Sequence, residues 1–92
     1  MVVRLATALR PHAGGEPTVC LDVTPPVTIG AVLDALAAAH PAVGRRIRDE
    51  AGTLRPHVNV FLGPDSVRNL DSEDTVVPEG AELTVLPAIS GG

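Results

Sequence analysis

The sequence predicts an α+β fold, a mixed sheet of four or five strands with one main helix packed on one face. Three observations predict it. Apolar residues alternate with period two near the N-terminus and again through the last third of the chain, while a single stretch between them switches to helical spacing. The resulting order, two strands, a helix, then two or three strands, leaves the first and last strands as parallel, central neighbours.

Residues 2–9 (VVRLATAL) place Val3, Leu5 and Leu9 on one side, and residues 18–24 (TVCLDVT) set Val19, Leu21 and Val23 against Thr18, Cys20, Asp22 and Thr24. Both read as half-buried strands. Between them "RPHAGGEP" reads as a turn or loop, which makes the first two elements an antiparallel pair. In "PPVTIGAVLDALAAAHP" Thr28 can cap, Ile29, Val32, Leu33 and Leu36 recur at helical spacing, and Pro41 stops the helix after His40. Val43 and Ile47, four apart, predict a further short turn of helix with Arg45, Arg46 and Arg48 facing water; "DEAGT" reads as loop. "HVNVFL" alternates Val58, Val60 and Leu62 against Asn59 and Phe61, "GPD" is a turn, "SVRNL" a short strand and "DSEDTVVPEG" a polar loop. In "ELTVLP" Leu83 and Val85 alternate with Thr84 and Leu86, and Pro87, with no N–H to give, ends the ladder.

The 92 residues are 45% apolar with net charge −4, which fits one folded domain. Phe61 is the only aromatic residue, so there is no platform for stacking on bases, and the acidic balance argues against nucleic acid. No apolar run is long enough to span a membrane. No basic stretch followed by an apolar run and a cleavage site opens the chain, and its one cysteine cannot form an internal disulfide. A cytoplasmic protein, monomeric when free, is expected. All seven basic side chains are arginine, so the chain offers no lysine amine to an activated C-terminus.

The chain stops on "LPAISGG". Residues 1–87 are read as the folded domain and 88–92 as a flexible tail, whose five residues can reach about 17 Å when extended. Gly91 and Gly92 lack Cβ atoms, so an enzyme tunnel can close around the backbone, with Ile89 and Ser90 leading in. The group such a tail delivers is the Gly92 carboxylate. A carboxylate is a poor electrophile, and its use requires activation, most simply adenylation with ATP and Mg²⁺ bound by a partner. The alternative is an ordinary frayed terminus.

The order of elements resembles the β-grasp fold of ubiquitin. "VNVF", "SVRNL" and "PEGAELTVLPAISGG" resemble the second half of the small sulfur carriers of the MoaD/ThiS type, and "LRPHAGG", "RPHVNVF" and "LPAISGG" resemble their cysteine-biosynthetic, CysO-like branch. Two turns depart from the pattern: Glu79-Gly80-Ala81-Glu82 stands where Asp-Gly-Asp or Asp-Gly-Glu is usual, and Gly63-Pro64-Asp65 where Asn-Gly is common. The resemblance implies that an adenylyltransferase converts the Gly92 carboxylate to an acyl-adenylate and that sulfur displaces AMP to leave a thiocarboxylate. It further implies a sulfur-accepting biosynthetic enzyme and, in the cysteine branch, an activated serine acceptor and a zinc-dependent hydrolase. The carrier itself has no catalytic residue and binds no cofactor. A ubiquitin-like protein modifier, the small subunit of molybdopterin synthase and a plain interaction module stay open as alternatives.

Other features point to structure. His12, His40, His57 and Cys20 include no two at metal-ligand spacing on one element, so no metal site is expected. Cys20 reads as an outward sheet residue with no adjacent base, and the tetrapeptide Leu-Arg-Pro-His, at 9–12 and 54–57, as turn chemistry. Arg10 and Arg55 read as solvated surface. With Val58, Val60, Leu83 and Val85 in the core, Phe61 and Leu86 point outward on neighbouring strands as a partner-docking patch. A slip of one residue would put them inside instead.

Overall fold

The computed structural model describes residues 1–87. Strands β1 (Val2–Leu5) and β2 (Thr18–Cys20) are followed by a short strand β3 (Val27–Thr28), helices α1 (Ile29–Ala39) and α2 (Pro41–Ile47), then β4 (Val58–Leu62), β5 (Asp65–Ser66), β6 (Val76–Val77) and β7 (Leu83–Pro87). The main sheet has the order β2-β1-β7-β4-β5. β1 runs antiparallel to β2 and parallel to β7, which is antiparallel to β4. The expected parallel pairing of first and last strands is therefore present, with β7 at the centre.

Period-two alternation puts Val3, Leu5, Val58, Val60, Leu83 and Val85 on one face, each at most 2% exposed. The stripe Ile29, Val32, Leu33 and Leu36 of α1 joins them in one core, with Val43 and Ile47 of α2. Thr28 caps α1 as expected, its Oγ1 accepting from the Ala31 N–H at 3.2 Å. The two helices cross closely because Gly44 has no side chain: a Cβ there would lie 2.6 Å from the Cβ of Ala37.

Several expectations are corrected. Leu9 does not continue the first strand. The Ala6 N–H donates to Val85 O and closes the ladder, the Leu9 N–H turns back to Ala6 O, and residues Thr7–Ala13 form a 3₁₀ helix. That helix ends at Gly14, whose φ of 69° suits a residue without Cβ. Leu9 is still buried, at 3% exposure, so the apolar pattern identified the core residue but not its backbone. The second strand stops at Cys20, short of Thr24. "SVRNL" is not a strand; Asp65–Ser66 pair with β4 and Val67–Asn69 then form a 3₁₀ turn. Within the expected polar loop, Val76–Val77 pair with Val27–Thr28 as a second, two-stranded sheet.

Arg48 does not face water. Its side chain is 15% exposed, and its guanidinium binds Asp34 Oδ1 at 2.6 Å and Glu73 Oε1 at 3.1 Å, tying the 72–74 turn to α1. Burial disfavours its charge, but hydrogen bonds and attraction from Asp34 and Glu73 outweigh burial and raise its pKa above the ordinary arginine value. The two unusual turns keep the backbone freedom they need: Gly63 has φ 59° between β4 and β5, and Gly80 has φ 77° before β7. Pro87, the expected end of the ladder, is the last described residue and sits across from Val58.

Candidate functional site

The outer face of the sheet carries the residues that alternation denies to the core. On β4 these are Asn59 and Phe61, and on β7 Thr84 and Leu86. The register sets Phe61 opposite Thr84 and Asn59 opposite Leu86, so Phe61 and Leu86 lie on a diagonal of adjacent strands. Leu86 is exposed at 37% and Phe61 is half-buried. The expected register holds, and the two residues share one face. Asn59, on the same face and opposite Leu86, is held by Ser66, its Oδ1 accepting from Ser66 Oγ at 2.7 Å.

Leu86 also borders a hollow of about 330 Å³ lined by Arg4, Thr7, Arg10, Thr18 and Thr84. Arg4 is neutralised by Glu82 at 2.9 Å, with both side chains largely exposed. Arg10 is not simply solvated: its Nε donates to Leu5 O at 3.1 Å. Arg68, to which the sequence gives no signal at all, donates through Nη2 to Val58 O at 2.6 Å and to Arg55 O at 2.8 Å. Cys20 is exposed, as expected of an outward sheet residue. Among the described residues no three His, Cys, Asp or Glu side chains cluster as metal ligands, and no helix is long and apolar enough to cross a membrane. Ile89, Ser90, Gly91 and Gly92, and the division between domain and tail, fall on residues outside those described.

The patch of Phe61 and Leu86 thus lies on the central strand β7 and its antiparallel neighbour β4. The ThiS family model matches residues 3–92. The chain belongs to the ThiS family. It is 33% identical to the sulfur carrier protein CysO of Mycobacterium tuberculosis over 94 residues, spanning 100% of this chain and 98% of that protein. To small archaeal modifier protein 1 of Haloferax volcanii it is 36% identical over 81 residues, 88% of each chain. The crystal structure of the latter protein superposes with a TM-score of 0.84 at 35% identity, covering 100% of this chain and 98% of the other. A chain of the Amycolatopsis orientalis BexX/CysO complex does so with a TM-score of 0.84 at 31% identity, covering 99% and 98%. The fold is thus the ubiquitin-like β-grasp, and the ThiS-family chain stands among small sulfur-carrier and ubiquitin-like proteins.

Proposed function

We propose that this ThiS-family chain is a sulfur carrier whose reactive group is the carboxylate of Gly92, with Phe61 and Leu86 as its docking patch. The observation that carries the reading is the family match through residue 92, which includes Gly91-Gly92, together with full-length identity to a sulfur carrier protein. The chain's part is presentation. An activating enzyme holding ATP and Mg²⁺ lets a Gly92 oxygen attack the α-phosphorus, releasing pyrophosphate and leaving an acyl-adenylate. Hydrosulfide then attacks the acyl carbon, a C–S bond forms, the C–O bond to AMP breaks, and the chain carries a thiocarboxylate.

That sulfur is a better nucleophile than the oxygen it replaces, and it is tethered to a folded address label. The receiving partner is a biosynthetic enzyme; the relative crystallised in a BexX/CysO complex supports a partner of this kind. Similarity to CysO favours cysteine biosynthesis as the destination, with a zinc-dependent hydrolase to free the product. A second reading, conjugation to lysines of other proteins, is favoured by the 36% identity to a small archaeal modifier protein.

The test is activation of the purified chain. With the cognate adenylating enzyme, pyrophosphate release is expected from the full sequence and not from a chain lacking Gly92. Sulfide addition should then give a thioacid that an alkylating reagent labels at Gly92, located by mass spectrometry of the C-terminal peptide. Pyrophosphate release from the truncated chain would sink the carrier reading. An isopeptide-linked product in place of the thioacid would establish the modifier.

A further inference from the structure

We infer that Arg10 and Arg68 form a basic collar at the root of the terminal segment, which engages carboxylates on the rim of the activating enzyme's slot. The inference deepens the sulfur-carrier reading and rests on it for the identity of the partner. β7 leaves the sheet between β1 and β4. Arg10 is pinned to the carbonyl of Leu5, the last residue of β1, at 3.1 Å. Arg68 is pinned at 2.6 Å to the carbonyl of Val58, the first residue of β4 and the cross-strand partner of Pro87. Two guanidinium groups thus anchor on the strands either side of β7, two strand spacings apart across the sheet and two residues apart along it, since Leu5 pairs with Val85 and Val58 with Pro87.

Neither arginine has a carboxylate within ion-pair distance among the described residues, whereas Arg4 and Arg48 both do. The difference is not a shortage of acids, since the chain has 11 Asp and Glu against 7 basic residues. Asp65, Glu79 and Glu82 gather at the opposite end of the sheet: Asp65 pairs with Leu62, and Glu82 O accepts from the Gly63 N–H. Arg4 and the Met1 ammonium share that far end with Glu79 and Glu82, and Glu16 lies near the end of β1. What Arg10 and Arg68 supply is therefore local: two guanidinium groups fixed where β7 finishes. Such local positive charge favours a negative surface facing that end during encounter. A guanidinium has five donors, and each anchor uses one nitrogen, leaving the others for a partner. The ligand cannot be the phosphate of the adenylate if the segment is extended in a slot, because Gly92 then lies about 17 Å beyond Pro87. Carboxylates at the slot's mouth are the anions within reach.

The measurement is the KM for the carrier in pyrophosphate release, with the enzyme that activates the wild-type chain, at low and high salt. Arg10→Gln and Arg68→Gln are each expected to raise KM about fivefold at low salt with kcat unchanged, and high salt should bring wild type to the same value. Arg46→Gln removes the same charge from α2 and should leave KM as it was. Arg68→Gln also frees two carbonyls, so circular dichroism is taken first, and Arg10→Gln decides the matter if Arg68→Gln unfolds. Wild-type KM for a folded Arg10→Gln chain, or an equal rise with Arg46→Gln, would overturn the collar. An independent titration uses hexaglutamate peptide and, separately, inorganic phosphate, followed by NMR at the arginine Nε–H signals. Peptide-induced shifts at Arg10 and Arg68 are expected; a stronger response to phosphate, or none to the peptide, overturns the assignment. If no adenylation of the wild-type chain occurs, the carrier reading fails, and this titration alone decides whether the collar binds carboxylates.

Discussion

The two faces of one sheet are built from alternate residues of the same strands. On the inner face Val60, Leu83 and Val85 are fully buried under α1; one residue along, Phe61, Thr84 and Leu86 lie on the outer face, with Leu86 37% exposed. The backbone, its hydrogen bonds and the strand order are common to both. What separates them is cover, so the inner residues hold the fold while the outer ones are available to a partner. Substitution on one face should cost stability, substitution on the other affinity, and a pair of adjacent residues tests the division.

The largest effect on folding is expected inside. Leu83→Ala removes a fully buried side chain from the central strand and should cost about 2–5 kcal/mol. At roughly 4–8 °C of Tm per kcal/mol for a domain of this size, thermal unfolding followed by circular dichroism shows the loss directly. A fall of only a degree or two would mean that the inner face is not the main store of stability. Arg48→Met comes next, at about 1–2 kcal/mol, because it leaves the half-buried Glu73 without its partner. The Arg48 pKa is raised in the folded chain, so its contribution is fully present below the unfolded arginine pKa and is lost only as pH rises through the folded value. The stability difference between wild type and Arg48→Met should therefore be flat with pH through the neutral range, where arginine is charged in both states.

How much of this division is readable in the sequence depends on whether contacts are local. Alternation separates Val58, Val60, Leu83 and Val85 from Phe61 and Leu86, and the register of the folded sheet then puts the first set in the core and the second on the outer face. The repeated Leu-Arg-Pro-His shows where such reading stops. Leu9 and Leu54 are both buried, and Arg10 and Arg55 both donate Nε to a backbone carbonyl, of Leu5 and of Arg45. Yet the first copy lies in a 3₁₀ helix and the second begins with Leu54 bridged to Arg48. The first three residues of each copy have the same burial and different backbones, since the turn is set by neighbours such as Gly14 and by pairing far along the chain. The β3–β6 pair escapes sequence reading for a similar reason. Two residues give no period, and their partners are about fifty positions apart. Arg10 and Arg68 escape because an arginine pinned to a carbonyl looks, in sequence, like any solvated arginine.

On the outer face the comparison reverses. Leu86→Asp and Phe61→Asp should leave a folded chain, with Tm lowered by a few degrees at most, while binding to the activating and receiving enzymes weakens by about 2 kcal/mol or more if these residues anchor the interface. Circular dichroism precedes the binding assay. Unfolding by Leu86→Asp would contradict its exposure and erase the distinction between faces; folded variants with wild-type affinity would move the docking patch elsewhere.

The smallest effect on folding, and the sharpest separation of folding from function, is expected at Gly91→Val. The buried core of the described residues runs from Val3 to Val85, so a change at position 91 leaves all of those contacts in place. Valine adds a branched Cβ one residue before the carboxylate and restricts φ, which glycine does not. A slot shaped for bare backbone should reject it, whereas the accessibility of the carboxylate in solution is unaltered. Tm is expected to match wild type while pyrophosphate release with the activating enzyme is lost. Adding the variant in excess to a reaction with wild-type chain separates two routes to that loss. If the docking patch still binds, Gly91→Val competes and slows wild-type activation; Gly91→Val carrying Leu86→Asp should not compete. Wild-type rates for Gly91→Val would show that the paired glycines are not an access requirement, and the assignment of chemistry to the terminus would lose its steric argument.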